Sequence, residues 1–112
     1  MSALARVAVA AALGLALAQG ALAGGNAQAG KQKASQVCAA CHGPNGDKPS
    51  APDQPILAGQ WEDYLVRALS DYKSGKRKNP IMNGMASTLS QQDILDIAAW
   101  FSSQPSPLHS ER

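Results

Sequence analysis

The stretch "VCAACHGPNG", residues Val37 to Gly46, holds both cysteines of the chain and one of its two histidines. Cys38 and Cys41 are three positions apart, so on a helix they share one face, and His42 follows directly. Three chemistries use such a cluster, and each makes a different demand on the rest of the chain. A redox dithiol of this spacing sits where a strand feeds a helix. A structural zinc site closes with four nitrogen or sulfur ligands. A covalently attached haem takes both thiols as thioethers and the adjacent histidine as one iron ligand, and its iron then needs a second ligand from elsewhere.

The remaining sequence supplies helices and loops. Residues Ala27 to Cys38 suit a helix, being rich in Ala, Gln and Lys and free of proline. From Gly43 to Pro55 the turn combinations "GPNG", "KPSAP" and "DQP" predict a loop that wraps something. "GQWEDYLVRALSDYKSG" places Trp61, Leu65, Ala68, Leu69 and Tyr72 at helical spacing. Glu62 and Asp63 open that helix, Lys73 lies near its end and Gly75 stops it. "KRKNPIMNGMAST" is expected to be loop, with Pro80 blocking a helix through it. In "LSQQDILDIAAWFSSQ", Ser90 is the expected N-cap with Asp93 three residues on, and Leu89 and Ile94 are placed for a hydrophobic staple.

No alternating strand pattern and no internal repeat is present, so the expectation is an all-α domain of about three main helices joined by long loops. Without a strand the dithiol loses its setting. Zinc lacks a fourth ligand, because the second histidine, His109, lies in a polar, proline-containing tail. Haem attachment is the reading these residues favour.

The N-terminus reads as an export signal. Arg6 precedes the apolar run Val7 to Ala18, and "ALA" at Ala21 to Ala23 offers small residues for cleavage. The run has 12 residues, where a membrane span needs roughly 20. Cleavage after Ala23 leaves a single domain over 24–112, with its core at about 27–104 and a tail at 105–112. A domain this small, with five aromatic residues in the whole chain, needs something besides side chains to fill its centre. Ten Lys or Arg, one of them Arg6, against eight Asp or Glu leave no basic excess of the kind that binds nucleic acid. The one local imbalance is "KSGKRK", Lys73 to Lys78.

In order along the chain, "GKQKASQVCAACHGPNG", "PILAGQ", "YLVRALSDYKSGKR" and "IMNGMASTLSQQDILDIAAWF" resemble a class I c-type cytochrome. The likeness is to the small bacterial monohaem type and to one half of the dihaem c-four cytochromes, and it covers nearly everything from Gly30 to Gln104. It implies the class I cytochrome c fold around one covalently bound haem c per chain. Cys38 and Cys41 would be the anchors and His42 an axial ligand.

Haem iron with one histidine has a second face, and a closed face makes an electron carrier. Met82 and Met85 are the methionines available beyond the initiator. The resemblance implies that Met82, the first of the pair, ligates the iron, with Met85 as the fallback. It further implies that the Pro55 carbonyl orients His42, that Leu57 packs on the haem face, and that Gly30 and Trp100 mark the crossing of the first and last helices. Tyr64 and Trp61 are candidate haem contacts.

The function expected from this resemblance is a periplasmic one-electron shuttle that is not itself an enzyme. It would dock transiently on redox proteins at the exposed haem edge, without nucleic acid and without stable membrane insertion once the signal is removed. The alternative is a haem-relay subunit of a larger oxidoreductase complex.

Overall fold

A computed structural model describes residues 24–107. The expected signal segment 1–23 and His109 lie outside the described residues. Among the described residues five helical segments follow one another: α1 (Ala27–Val37), α2 (Ala39–His42), α3 (Glu62–Ser74), α4 (Pro80–Ser87) and α5 (Gln91–Ser102). Among the described residues there is no strand, and no helix is long and apolar enough to cross a membrane.

Local chemistry explains where each helix begins and ends. Asn26 caps α1 by accepting the Ala29 N–H at 2.9 Å. Helix α2 is a single turn that stops at Gly43, whose φ of 84° lies in the region that glycine tolerates. Helix α3 carries Glu62 and Asp63 in its first turn and Lys73 in its last, and ends on Gly75 in the left-handed conformation. Helix α5 opens with a complete capping box: Ser90 Oγ accepts the Asp93 N–H at 3.0 Å, and Asp93 Oδ2 accepts the Ser90 N–H at 2.9 Å.

The segment around Pro80 departs from expectation. It is not a loop but helix α4, because Pro80 stands at the helix start, where its missing N–H would have no partner in any case. Asn79 precedes it as N-cap and accepts the N–H groups of Ile81 and Met82 at 3.1 and 3.0 Å. Proline here nucleates a helix, and the long second connection of the sequence reading contracts to two short turns.

The core lies where α1, α3 and α5 meet. Leu65, Leu89, Ile94, Ile97, Ala98 and Phe101 are buried together with Ala34, and Leu89 and Ile94 flank the α5 cap as a staple does. The α1–α5 crossing is very close. A Cβ built on Gly30 would lie 1.9 Å from the Asp96 carbonyl oxygen. Gly30 thus admits the backbone of α5. Trp100 takes the Lys31 ammonium over its face, 5.5 Å from the ring centroid, and donates its indole N–H to the Pro44 carbonyl at 3.1 Å. The buried Asp96 carboxylate accepts from the Asn26 N–H at 2.8 Å and from Gln92 Nε2 at 2.9 Å, tying the start of α1 to α5.

Candidate functional site

The break between α1 and α2 presents the cysteine–histidine cluster to a cavity of about 440 Å³. The loop after α2 folds back over this cluster and is stitched by its own main chain. The Gly46 carbonyl accepts from the Leu57 and Ala58 N–H groups at 2.7 and 3.1 Å, and Ser50 N–H donates to the Cys41 carbonyl at 2.9 Å. Gly46 has φ of 76°, and a Cβ there would meet the Phe101 ring at 2.7 Å, so only glycine lets the loop lie against α5. At the far end of the loop, the Gly59 N–H donates to the Phe101 carbonyl at 2.9 Å. Pro55 and Leu57 are thereby held opposite the cluster.

Cys38, Cys41 and His42 all line the cavity. No disulfide joins the two cysteines. Burial, and then the neighbouring Cys41, push the Cys38 thiol up to about 11. His42 is 7% exposed, and its Nδ1 lies 2.9 Å from the Pro55 carbonyl oxygen. A carbonyl can only accept, so Nδ1 is the donor in this contact, and Nε2 is the ring nitrogen left to ligate a metal.

Helix α3 supplies a second wall. Tyr64, Leu65, Ala68, Leu69 and Tyr72 line the cavity at one helical spacing. Phe101 and Ile97 of α5 close the floor, and Ile81 and Met82 of α4 complete the rim.

Of the two methionines, Met82 lines the cavity, whereas Met85 is 43% exposed and lies off its wall. Leu57 and Pro55 line it. Tyr64 lines it with its hydroxyl 3.4 Å from Arg77 Nη1. Trp61 is 49% exposed and does not line the cavity.

Tyr72, Asn79 and Arg77 are among the lining residues that escaped the sequence reading as site residues. Tyr72 had a signal, since it stands eight residues after Tyr64 on the same helix face. Asn79 is hidden in sequence by its role as a helix cap. Arg77 read as part of a solvated basic run, yet its guanidinium lies 4.8 Å from the centroid of the Tyr72 ring.

The cavity suits a large, mostly apolar group anchored at one end. Two thiols and an imidazole stand together there, the walls are aliphatic and aromatic, and the polar groups Tyr64, Arg77 and Asn79 sit at the rim. Among the described residues no group of three or more His, Cys, Asp or Glu side chains gathers into a cage for a bare metal ion.

The family model for cytochrome c matches residues 27–105. Cytochrome c4 of Pseudomonas aeruginosa is 52% identical over 82 residues, which span 73% of this chain and 40% of that protein. The chain thus spans under half the length of that relative. Cytochrome c-554(548) of Halomonas halodenitrificans is 45% identical over 83 residues, covering 71% of this chain and 98% of that protein. The crystal structure of reduced recombinant cytochrome c4 from Pseudomonas stutzeri superposes with a TM-score of 0.68 at 46% identity, over 75% of this chain and 48% of that one. A match to a relative over almost its whole length, joined to a cavity with thiols and imidazole at one end, leads to one conclusion: the chain belongs to the cytochrome c family, and with that membership goes a single covalently attached c-type haem in this domain.

Proposed function

We propose that this domain is a one-electron carrier acting outside the cytoplasm, with Cys38 and Cys41 as thioether anchors and His42 and Met82 as the axial pair. A bound haem c supplies a ferric/ferrous couple. The observation that carries the reading is the placement of His42 and Met82 on one cavity, with His42 already committed through Nδ1 to Pro55 and its Nε2 free to ligate. The four residues come from two separate segments, the α1–α2 region and α4, and all of them line the same cavity, as does Pro55 of the intervening loop.

The chain's own residues shape the couple. Pro55 fixes the tautomer and orientation of His42, so the ligand need not reorient between oxidation states. Leu57, Ile97 and Phe101 line the cavity with apolar surface that would hold water away from a bound haem, and an apolar surround favours the less charged reduced state. A thioether from Met82 favours it too. With both axial positions taken there is no place for a substrate, which fits a carrier and not an enzyme.

The rim is equipped for brief docking. Ile81 is 66% exposed and stands beside Met82, so an apolar contact lies next to the cavity mouth. Of the basic run, Lys73 donates to the Leu89 carbonyl and Arg77 rests on Tyr72, leaving Lys76 and Lys78 exposed to attract an acidic redox partner.

Redox titration of the purified protein tests the proposal. A carrier gives one reversible one-electron wave per chain and only slow carbon monoxide binding by the reduced form at neutral pH. A rapid carbon monoxide adduct contradicts the closed site. A relay role inside a larger assembly predicts instead that the protein purifies in fixed ratio with an oxidoreductase in high salt.

A further inference from the structure

The amide of Asn83 makes three hydrogen bonds to main-chain groups, and all three converge on the segment that carries Met82. Its Nδ2 donates to the Tyr72 carbonyl at 2.8 Å and to the Arg77 carbonyl at 2.9 Å. Its Oδ1 accepts from the Asn79 N–H at 3.0 Å. Tyr72 belongs to the last turn of α3, and its carbonyl also accepts the capping N–H of Gly75 at 3.3 Å. Arg77 lies in the connection, and Asn79 is the N-cap of α4. One side chain therefore joins the end of one helix, the turn and the start of the next.

Packing alone does little for α4. The helix has eight residues, too few to be stable in isolation, and Ala86 is the one among them that is buried. Its placement relies on directional bonds. Asn79 holds the Met82 N–H from the front at 3.0 Å, and Asn83 braces Asn79 from behind. The two asparagines fix the axial position and rotation of the turn between them, and that turn carries Met82.

The choice of amide is specific. Aspartate at this position keeps an acceptor for Asn79 but has no hydrogens for the two carbonyls, and it turns negative charge towards them. Alanine removes all three bonds, leaving the Arg77 carbonyl to water and the Tyr72 carbonyl with the Gly75 N–H alone.

We propose that Asn83 is a positioning residue for the sixth iron position, holding α4 so that Met82 stays closed over the cavity; the proposal rests on the reading of Met82 as the axial ligand. The test compares holoproteins carrying Asn83→Ala and Asn83→Asp with the wild type, with Met82→Ala as the fully open limit and Ser90→Ala as a control. Ser90→Ala weakens the α5 cap without touching α4. Global stability is read by far-UV circular dichroism in urea, and closure by the rate of carbon monoxide binding to the ferrous protein.

Both Asn83 variants are expected to keep covalent haem and native helicity yet bind carbon monoxide about tenfold faster than wild type, as the loss of three directed hydrogen bonds implies. Asn83→Asp is expected to be at least as fast as Asn83→Ala, and Ser90→Ala to match the wild type. If the rates in all three variants simply follow global stability, Asn83 is ordinary structural support and the proposal is overturned. If the wild type shows no methionine–iron absorption band, the ligand reading itself fails and the proposal fails with it.

Discussion

His42 Nδ1–H donates to the Pro55 carbonyl at 2.9 Å, a bond that spans thirteen positions of chain. It makes the loop after the cysteines part of the site, because the histidine's orientation is set by a group that the cluster itself does not contain. In the reduced, diamagnetic holoprotein the Nδ1 proton should exchange slowly with solvent, as the 7% exposure of His42 implies. Pro55→Ala keeps the carbonyl but frees the backbone that presents it, and should speed this exchange by about tenfold. Proton NMR of the imidazole N–H measures it; a proton in fast exchange in the wild type contradicts the role given to Pro55.

The two methionines should separate cleanly. Met82→Ala removes a cavity-lining thioether and should open the sixth position, abolish the methionine–iron band and lower the reduction potential. Met85 is 43% exposed, so Met85→Ala should retain the band and change stability by about 0.5 kcal/mol or less. Loss of the band in Met85→Ala reverses the assignment.

A pair of glycines tests the helix crossing. Gly30→Ala places a methyl 1.9 Å from the Asp96 carbonyl oxygen, and backbone cannot yield as a side chain can. Forcing α1 and α5 apart should cost about 3 kcal/mol. Gly84 in α4 has no atom within 4 Å of a built Cβ, so Gly84→Ala should be neutral or stabilising by up to about 1 kcal/mol. Urea unfolding of the two variants gives both values.

Acid should loosen the start of α5. The hydrogen bond from the Ser90 backbone, aided by Lys33 at 3.7 Å, holds the Asp93 carboxyl below its ordinary value of 3.8. A carboxyl lowered on folding stabilises the fold at pH above its unfolded value, and that contribution is lost as pH falls through the lower folded value. Asp93→Asn should therefore lower stability at neutral pH and flatten the fall in stability below pH about 4. Urea midpoints measured from pH 7 down to pH 2.5 distinguish the two curves.

Much of this site was legible because its chemistry is local. Cys38, Cys41 and His42 are contiguous, and the α5 capping box is spelled out by Ser90 and Asp93 three residues apart. Helix α3 announced itself through periodicity and its glycine stop. The reading failed at Pro80, where the same residue breaks a helix from within and starts one from its first position. The pair Asn79–Pro80, an N-cap residue followed by proline at the helix start, is the signal that decides between those outcomes. Gly30 was recognised as a crossing point, but its partner is the α5 backbone, which no side-chain pattern encodes. Arg77 and Asn83 stayed hidden for a related reason: each looks like a solvated polar residue until the α3–α4 turn closes around it.

The most direct test is the optical spectrum of the purified holoprotein, oxidised and reduced, with an acid–acetone extraction alongside. The account predicts haem that stays with the polypeptide, a low-spin spectrum in both states and a methionine–iron band in the oxidised form that Met82→Ala removes. Haem extracted into the solvent, or a high-spin spectrum without that band in the wild type, contradicts Cys38, Cys41, His42 and Met82 as its four attachments.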